Sequence, residues 1–289
     1  MRAGSPAARA GFRQALATEW IKFRSVRSTV WETVATFVVP VAGAVFVAAT
    51  GSLQDDDTVI GGSLTLSVVA QMLAAVVGAM TITGEHGSGT IRTTLAANPN
   101  RGTVVAAKAA LVAGLMYVLA LVSCALAVVI GGVLLPASHP AKAALVAGLM
   151  YVLALVSCAL AVVIGGVLLP ASHPAGEALP ALFGIAGSFA VAGLLGLAVG
   201  TLVRHSAGAV TTVIGLLLLP SLFGPLFGGA RRWIAGLSPT AALEKLTQTW
   251  DATAETVGSL GAWPSLWLVA GCTAALLLVA VGALRRRDV

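Results

Sequence analysis

The sequence predicts an all-α, polytopic membrane protein, and three observations support this fold class. Hydrophobic residues make up 58% of the 289 residues and charged residues only 10%, too few charges to cover a water-soluble domain of this size. Several apolar runs reach about 20 residues, the length that a helix needs to cross a bilayer. Basic residues gather before the first run and after the last one, a distribution that places both ends in the cytoplasm.

The apolar runs divide the chain into two predicted domains. Residues 1–32 form a cytoplasmic N-terminal region, and residues 33–289 form the transmembrane domain. The predicted spans lie at about residues 33–50, 62–83, 109–135, 143–169, 178–203, 207–228 and 263–284.

Two of these spans belong to a tandem duplication, because residues 107–140 and 141–174 are identical position for position. Solenoid repeats diverge in sequence, so we interpret the identity as a recent duplication or an error of sequence assembly. Six spans would keep both basic ends on one side of the membrane. Seven would send Arg285–Arg287 to the other side. The predicted fold is a six-helix transmembrane domain with one duplicated helix, and seven spans are the alternative.

Residues 12–27 are predicted to form an amphipathic helix on the membrane surface. Trp20 and Phe23 fall on one apolar arc of this helix, and Lys22 and Arg24 supply positive charge. Buried rings and basic side chains would hold such a helix to the headgroups of membrane lipids. The alternative is a solvated basic leader.

The signatures of several enzyme classes are absent from the sequence. The phosphate-binding motif GxxxxGK[ST], the metalloprotease motif HExxH and the nucleophile motif GxSxG do not occur. All three cysteines lie in apolar runs, which is typical of small buried residues and not of disulfides or metal ligands. The basic residues flank spans and form no nucleic-acid-binding patch. We therefore expect no catalytic residues, no metal, no cofactor and no nucleic-acid partner.

Two GxxxG pairs are candidates for close helix packing, since small residues let two helices approach each other. Gly196 and Gly200 lie in the span at 178–203, and Gly224 and Gly228 lie in the span at 207–228. These faces could pack within the chain or between two chains.

The most informative segment is a polar strip at residues 84–95, GEHGSGTIRTTL, between two apolar runs. Glu85 lies where the preceding span is expected to reach the cytoplasm. Gly87 and Gly89 permit a sharp turn of the backbone. The alternative is an ordinary polar loop.

A short helix is expected directly after this turn, over residues 91–97. Thr90 is a residue type that caps helix N-termini, and Arg92 would lie on the helix surface. The strip would then be a short helix tied rigidly to a membrane span.

At this strip the sequence resembles the permease subunits of ABC-2 type transporters, in the form common in actinobacteria. The central strip carries the most specific part of the resemblance, whereas the spans match by composition only. The similar pieces are TEWIKFRSVRST at 18–29, GEHGSGTIRTTLAANPNRG at 84–102, AAK at 106–108, LVRHSAGAV at 202–210 and the closing LRRRDV.

The resemblance implies a multi-pass permease of the plasma membrane that is not itself an enzyme. It would be the membrane subunit of an ABC exporter, driven by a separate ATP-binding-cassette ATPase and paired with a second permease chain. The implied ATPase-docking residues are Glu85, His86, Gly87, Gly89, Thr90, Ile91 and Arg92.

Two features depart from the family pattern. The third span is duplicated, and His86 stands where an aromatic residue is expected. A second class of function is a membrane assembly or anchor subunit that transports nothing.

Overall fold

The computed structural model describes residues 11–50, 64–98, 100–134, 178–223, 238–247 and 260–286. In this part of the chain all regular structure is helical, which confirms the all-α prediction. The helices are α1 (Phe12–Ser25), α2 (Arg27–Thr50), α3 (Ser67–Gly87), α4 (Thr90–Ala97), α5 (Arg101–Leu134), α6 (Ala178–Val203), α7 (Ser206–Phe223), α8 (Pro239–Thr247) and α9 (Ala262–Arg286).

Five of the described helices, α2, α3, α5, α6 and α9, are long and apolar enough to cross a membrane. Helix α7 is also apolar, but its apolar stretch, Ser206–Pro220, is shorter. The polytopic prediction is therefore confirmed. Helix α6 has the bounds predicted for the span at 178–203, and the copied span at 143–169 lies outside the described residues.

Helix α6 is the centre of the bundle, with 72% of its most apolar stretch buried, compared with 22% for α9. It packs tightly along α3. A Cβ atom on Gly196 would lie 1.8 Å from the carbonyl oxygen of Ala75, and one on Gly78 would lie 1.9 Å from the carbonyl oxygen of Gly193. Only glycine permits this approach of two backbones.

Gly200 continues the same contact one turn further, where an added Cβ would lie 2.8 Å from the carbonyl oxygen of Ala79. The GxxxG pair of α6 therefore faces α3 of the same chain. The second pair, Gly224 and Gly228, lies outside the described residues.

The contacts between helices also fix their directions. Helices α3 and α6 run parallel, because Ala75 meets Gly196 and Ala79 meets Gly200. At the start of α5, Arg101 donates a hydrogen bond to the carbonyl oxygen of Leu284, near the end of α9. The helices α3, α6 and α9 thus end where α5 begins, and we call this the α3–α5 end of the bundle.

Helix α1 lies at the α3–α5 end too, because it is ion-paired to α3 and α5 there. The described part of the chain thus brings α1 and the end of α9 to one end of the bundle. With six spans, α1 and the end of α9 must lie on the same side of the membrane. With seven spans, they would lie on opposite sides.

The opposite end of the bundle is filled by the short, buried helix α8. Gln71 of α3 donates a hydrogen bond to the carbonyl oxygen of Pro239, at 3.2 Å. The Ser238 hydroxyl donates to the carbonyl oxygen of Leu217 in α7, at 3.3 Å. Helix α8 is therefore fastened to both α3 and α7.

Candidate functional site

The polar strip folds into the last turn of α3, a tight turn and the short helix α4. Helix α3 continues through Glu85 and His86 to Gly87. The turn is made at Gly89, whose φ of 73° is in the left-handed region that favours glycine. The sharp turn falls at the second of the two glycines, while Gly87 is still helical.

The expected cap of the short helix is wrong. Gly89 occupies the N-cap position of α4 and Thr90 is its first helical residue. The Thr90 hydroxyl lies 2.9 Å from the hydroxyl of Ser88. The left-handed backbone at Gly89 turns the chain, and no side chain caps α4. The sequence pattern alone did not show whether Thr90 would cap the helix or be its first residue.

Four charged side chains from three helices meet beside this turn, and we call them the charge cluster: Glu19 and Lys22 of α1, Glu85 of α3 and Lys108 of α5. Lys22 Nζ lies 3.0 Å from Glu19 Oε1 and 2.9 Å from Glu85 Oε1. Lys108 Nζ lies 2.9 Å from Glu85 Oε1 and also pairs with Glu19 Oε2. The formal charges of the cluster sum to zero.

Most of the charge cluster is buried. The exposed fraction is 1% for Lys108, 4% for Glu19 and 9% for Glu85, while one-third of the Lys22 side chain is exposed. Buried charges are costly unless they are paired and hydrogen-bonded, so each member depends on the others for its position.

The cluster also reaches the short helix α4. Lys22 Nζ donates a hydrogen bond to Thr94 Oγ1 at 2.8 Å. Through this one ammonium group, α4 is connected by side chains to α1 and α3, and through Glu85 to α5.

The ion pairs raise the pKa of Lys22 above its ordinary value of 10.5. Burial favours the neutral amine and lowers this pKa, but the hydrogen bonds and negative charges of Glu85 and Glu19 outweigh burial. Lys22 therefore remains charged throughout the physiological pH range.

Two cavities lie beside the charge cluster at the α3–α5 end. One, of about 510 Å³, lies between α1, α3 and α4, and the other, of about 260 Å³, lies between α1 and α4. Glu19, Lys22, Thr93 and Thr94 line both cavities. The junction of α1 with α4 is thus held by polar contacts across incompletely filled space.

The seven residues expected to dock an ATPase differ in their exposure to solvent. Glu85 and Ile91 are buried, and His86 is half-buried with Nδ1 3.0 Å from the carbonyl oxygen of Ile82. Glu85 is therefore an internal member of the charge cluster, with 11% of its side chain exposed. The four exposed residues of the seven are Gly87, Gly89, Thr90 and Arg92.

The α1 residues expected to face the membrane also differ in exposure. The rings of Trp20 and Phe23 stack, with their centroids 6.4 Å apart, but 41% of Trp20 is exposed and only 7% of Phe23. Phe23 belongs to the protein core, so the expectation that lipid covers its ring is wrong. Lys22 is a member of the charge cluster, and Arg24 is exposed.

Sequence reasoning missed Glu19 and Lys108 as site residues. A signal for Glu19 was available, since Glu19 and Lys22 are three residues apart on a predicted helix, where side chains meet. Lys108 directly precedes the span predicted at 109–135, a position typical of a basic residue that flanks a membrane span. A lysine well inside a long apolar helix indicates a buried partner, but the sequence does not show that the partners are 23 and 89 residues away.

The ion pairs of the charge cluster connect α1, α3 and α5. Each carboxylate is paired with two ammonium groups that come from two different helices. Within the described ranges, no group of three or more His, Cys, Asp or Glu residues is placed to hold a metal ion.

Comparison with protein families identifies the class of this protein. The model of the family described as ABC-2 family transporter protein matches residues 15–190, a range that is more than half of the chain and includes the whole charge cluster. The chain belongs to the ABC-2 transporter family. It is a multi-pass membrane protein and a permease component of an ABC transporter. Comparisons with curated proteins and with solved structures give no match.

Proposed function

We propose that this chain is the membrane subunit of an exporter, and that a separate ATP-binding-cassette ATPase docks on α4 and drives it. Membership in the ABC-2 family supports a partnership with such an ATPase. Helix α4 lies outside the spans, at the α3–α5 end, and offers a polar surface of Thr90, Arg92 and Thr93, all of which are exposed.

The observation that carries this proposal is the contact of α4 with the charge cluster. A displacement of α4 moves Thr94, and Thr94 is hydrogen-bonded to Lys22. Lys22 is paired with Glu85, and Glu85 with Lys108. A force on α4 is therefore applied to α1, α3 and α5 together, which suits a subunit whose spans are reoriented by a partner.

We further propose that the α3–α5 end is cytoplasmic in the plasma membrane and that two permease chains form the pathway. The basic residues of α1 and of the α9 end support the orientation. Exposed apolar side chains on α2 and α9, among them Trp31, Phe46, Trp267 and Leu278, provide surface for lipid and for a second chain.

The docking proposal is tested by reversing a charge on α4. Arg92→Glu leaves the charge cluster intact and changes an exposed side chain, so the permease should fold normally. Arginine contacts often carry much of an interface's energy, and we expect about a tenfold loss of affinity for the co-expressed ATPase.

Arg13→Glu is the matched control, because Arg13 is an exposed arginine of α1 that lines neither cavity. Co-purification of the ATPase with each variant gives the comparison. Equal retention of the ATPase by both variants would show that α4 is not the docking surface.

A further inference from the structure

The charge cluster consists of two neutral ion pairs, one within α1 and one between α3 and α5. Glu19 and Lys22 both belong to α1 and lie 3.0 Å apart. Glu85 and Lys108 belong to α3 and α5 and lie 2.9 Å apart. If α1 moved away, each side would keep an ion pair of its own, and neither would retain an unpaired charge of the kind that makes separation of buried ions costly.

The backbone offers one place at which α1 can turn. Helices α1 and α2 are separated by the single residue Val26, which has extended backbone angles, φ −92° and ψ 109°. Val26 also lines the larger cavity. Rotation at this residue would move α1 without breaking a turn of either helix.

The contacts of α1 next to the cluster are also incomplete. Two cavities lie beside the cluster, and Glu19 and Lys22 line both of them. Glu85 Oε2 is buried and has no hydrogen-bond partner among the described residues. An unsatisfied buried oxygen destabilises the arrangement in which α1 is packed against α3 and α5.

We propose that α1 is a hinged strap that leaves the bundle as a charge-neutral unit, turning at Val26 and separating between the Glu19–Lys22 pair and the Glu85–Lys108 pair. The strap regulates how firmly α4 is held, since Lys22 carries the hydrogen bond to Thr94. Its role in transport rests on the proposed function. The movement itself is a property of this chain alone.

Four double variants, each removing one negative and one positive charge, test the division. Glu19→Gln with Lys22→Gln, and Glu85→Gln with Lys108→Gln, remove every ion pair that the described residues form between α1 and the rest of the bundle. Lys22→Gln with Glu85→Gln keeps the Glu19–Lys108 pair, and Glu19→Gln with Lys108→Gln keeps the Lys22–Glu85 pair. The last two are matched controls, because they also remove two charges but leave one link.

Amide hydrogen exchange in α1 is measured on the purified full-length chain without any ATPase, so a negative result bears on the strap and not on ATPase docking. We expect exchange in α1 to rise at least tenfold in the first two variants. Exchange in α1 should rise much less in the two controls. In the variant with Glu19→Gln and Lys22→Gln, the amides of α3 and α5 should stay protected. Equal exchange in all four would show that packing holds α1. Loss of protection in α3 and α5 would show that the bundle depends on the charges of α1.

The wild-type chain provides a test that does not depend on the variants folding. As mild denaturant is added, α1 should open to exchange before α3 and α5 do. Simultaneous opening of the three helices would overturn the proposal.

Discussion

Helix α3 takes part in two contacts of opposite kind. Along its middle it meets α6 through glycines, with backbone against backbone and no space for one additional carbon atom at Gly196. At its end it meets α1, α4 and α5 through the charge cluster, where Glu85 is held by two long lysine side chains with cavities beside them.

The difference indicates which part of the molecule is fixed and which part is able to move. The contact of α3 with α6 depends on shape, and close-packed interiors transmit displacement instead of absorbing it. The charge cluster depends on paired groups at the ends of flexible side chains, which can exchange partners. We infer that α3 and α6 move as one body and that relative motion occurs at α1 and α4.

The largest effect is expected from removing the most buried charge. Lys108→Gln leaves Glu19 and Glu85 with only Lys22 as a counterion, and breaking a buried ion pair costs about 3–5 kcal/mol. Lys22→Gln makes the same change in charge, but Lys22 is one-third exposed, so water can replace part of its contribution. Thermal unfolding in detergent micelles should give a much lower midpoint for Lys108→Gln. Equal midpoints for both would contradict the burial of the cluster.

The next largest effect concerns the glycine contact. Gly196→Ala places a methyl group against the carbonyl oxygen of Ala75, and such overpacking costs about 1–3 kcal/mol. Gly114→Ala is the control, since nothing lies within 4 Å of its added Cβ. The yield of monodisperse protein should fall only for Gly196→Ala. A similar yield for both variants would mean that α3 and α6 are not in such close contact.

A smaller effect is expected from alkaline pH. Because the folded state raises the pKa of Lys22 above 10.5, the stabilisation from its charge is complete below that pH and is lost as pH rises through the raised value. The difference in melting temperature between the wild-type chain and Lys22→Gln should stay constant from about pH 7 to pH 10 and shrink above about 10.5. A difference that already fades near neutral pH would contradict the pairing of Lys22.

The smallest effect is expected from deleting residues 141–174. The described helices already place α1 and the end of α9 at the same end of the bundle, so the deletion should not change the side of the C-terminus. A C-terminal epitope should resist external protease in intact cells in both forms. Cleavage in the full-length chain alone would show that the duplicated segment adds a crossing.

Sequence reasoning predicted the helices better than the contacts between them. Composition predicted an apolar span at about residues 178–203, where the structure has α6. An apolar run bounded by polar residues depends only on neighbouring positions. The polar strip stood out for the same reason. The charge cluster depends on residues from distant parts of the chain, and no local pattern pairs Glu19 with Lys108. Burial of Phe23 was missed because the apolar arc of α1 faces the protein as well as the membrane surface.

If the charge cluster transmits movement of α4 to the rest of the bundle, the effect should be measurable far from α4 without knowledge of the substrate. Hydrogen exchange in α8, which lies at the opposite end of the molecule, is recorded in the complex with the ATPase before and after addition of ATP. We expect ATP to change exchange in α8 of the wild-type chain. In the variant with Glu19→Gln and Lys22→Gln, this change should be largely lost while ATP is still hydrolysed. An equal response of α8 in this variant would show that the charge cluster does not transmit movement of α4.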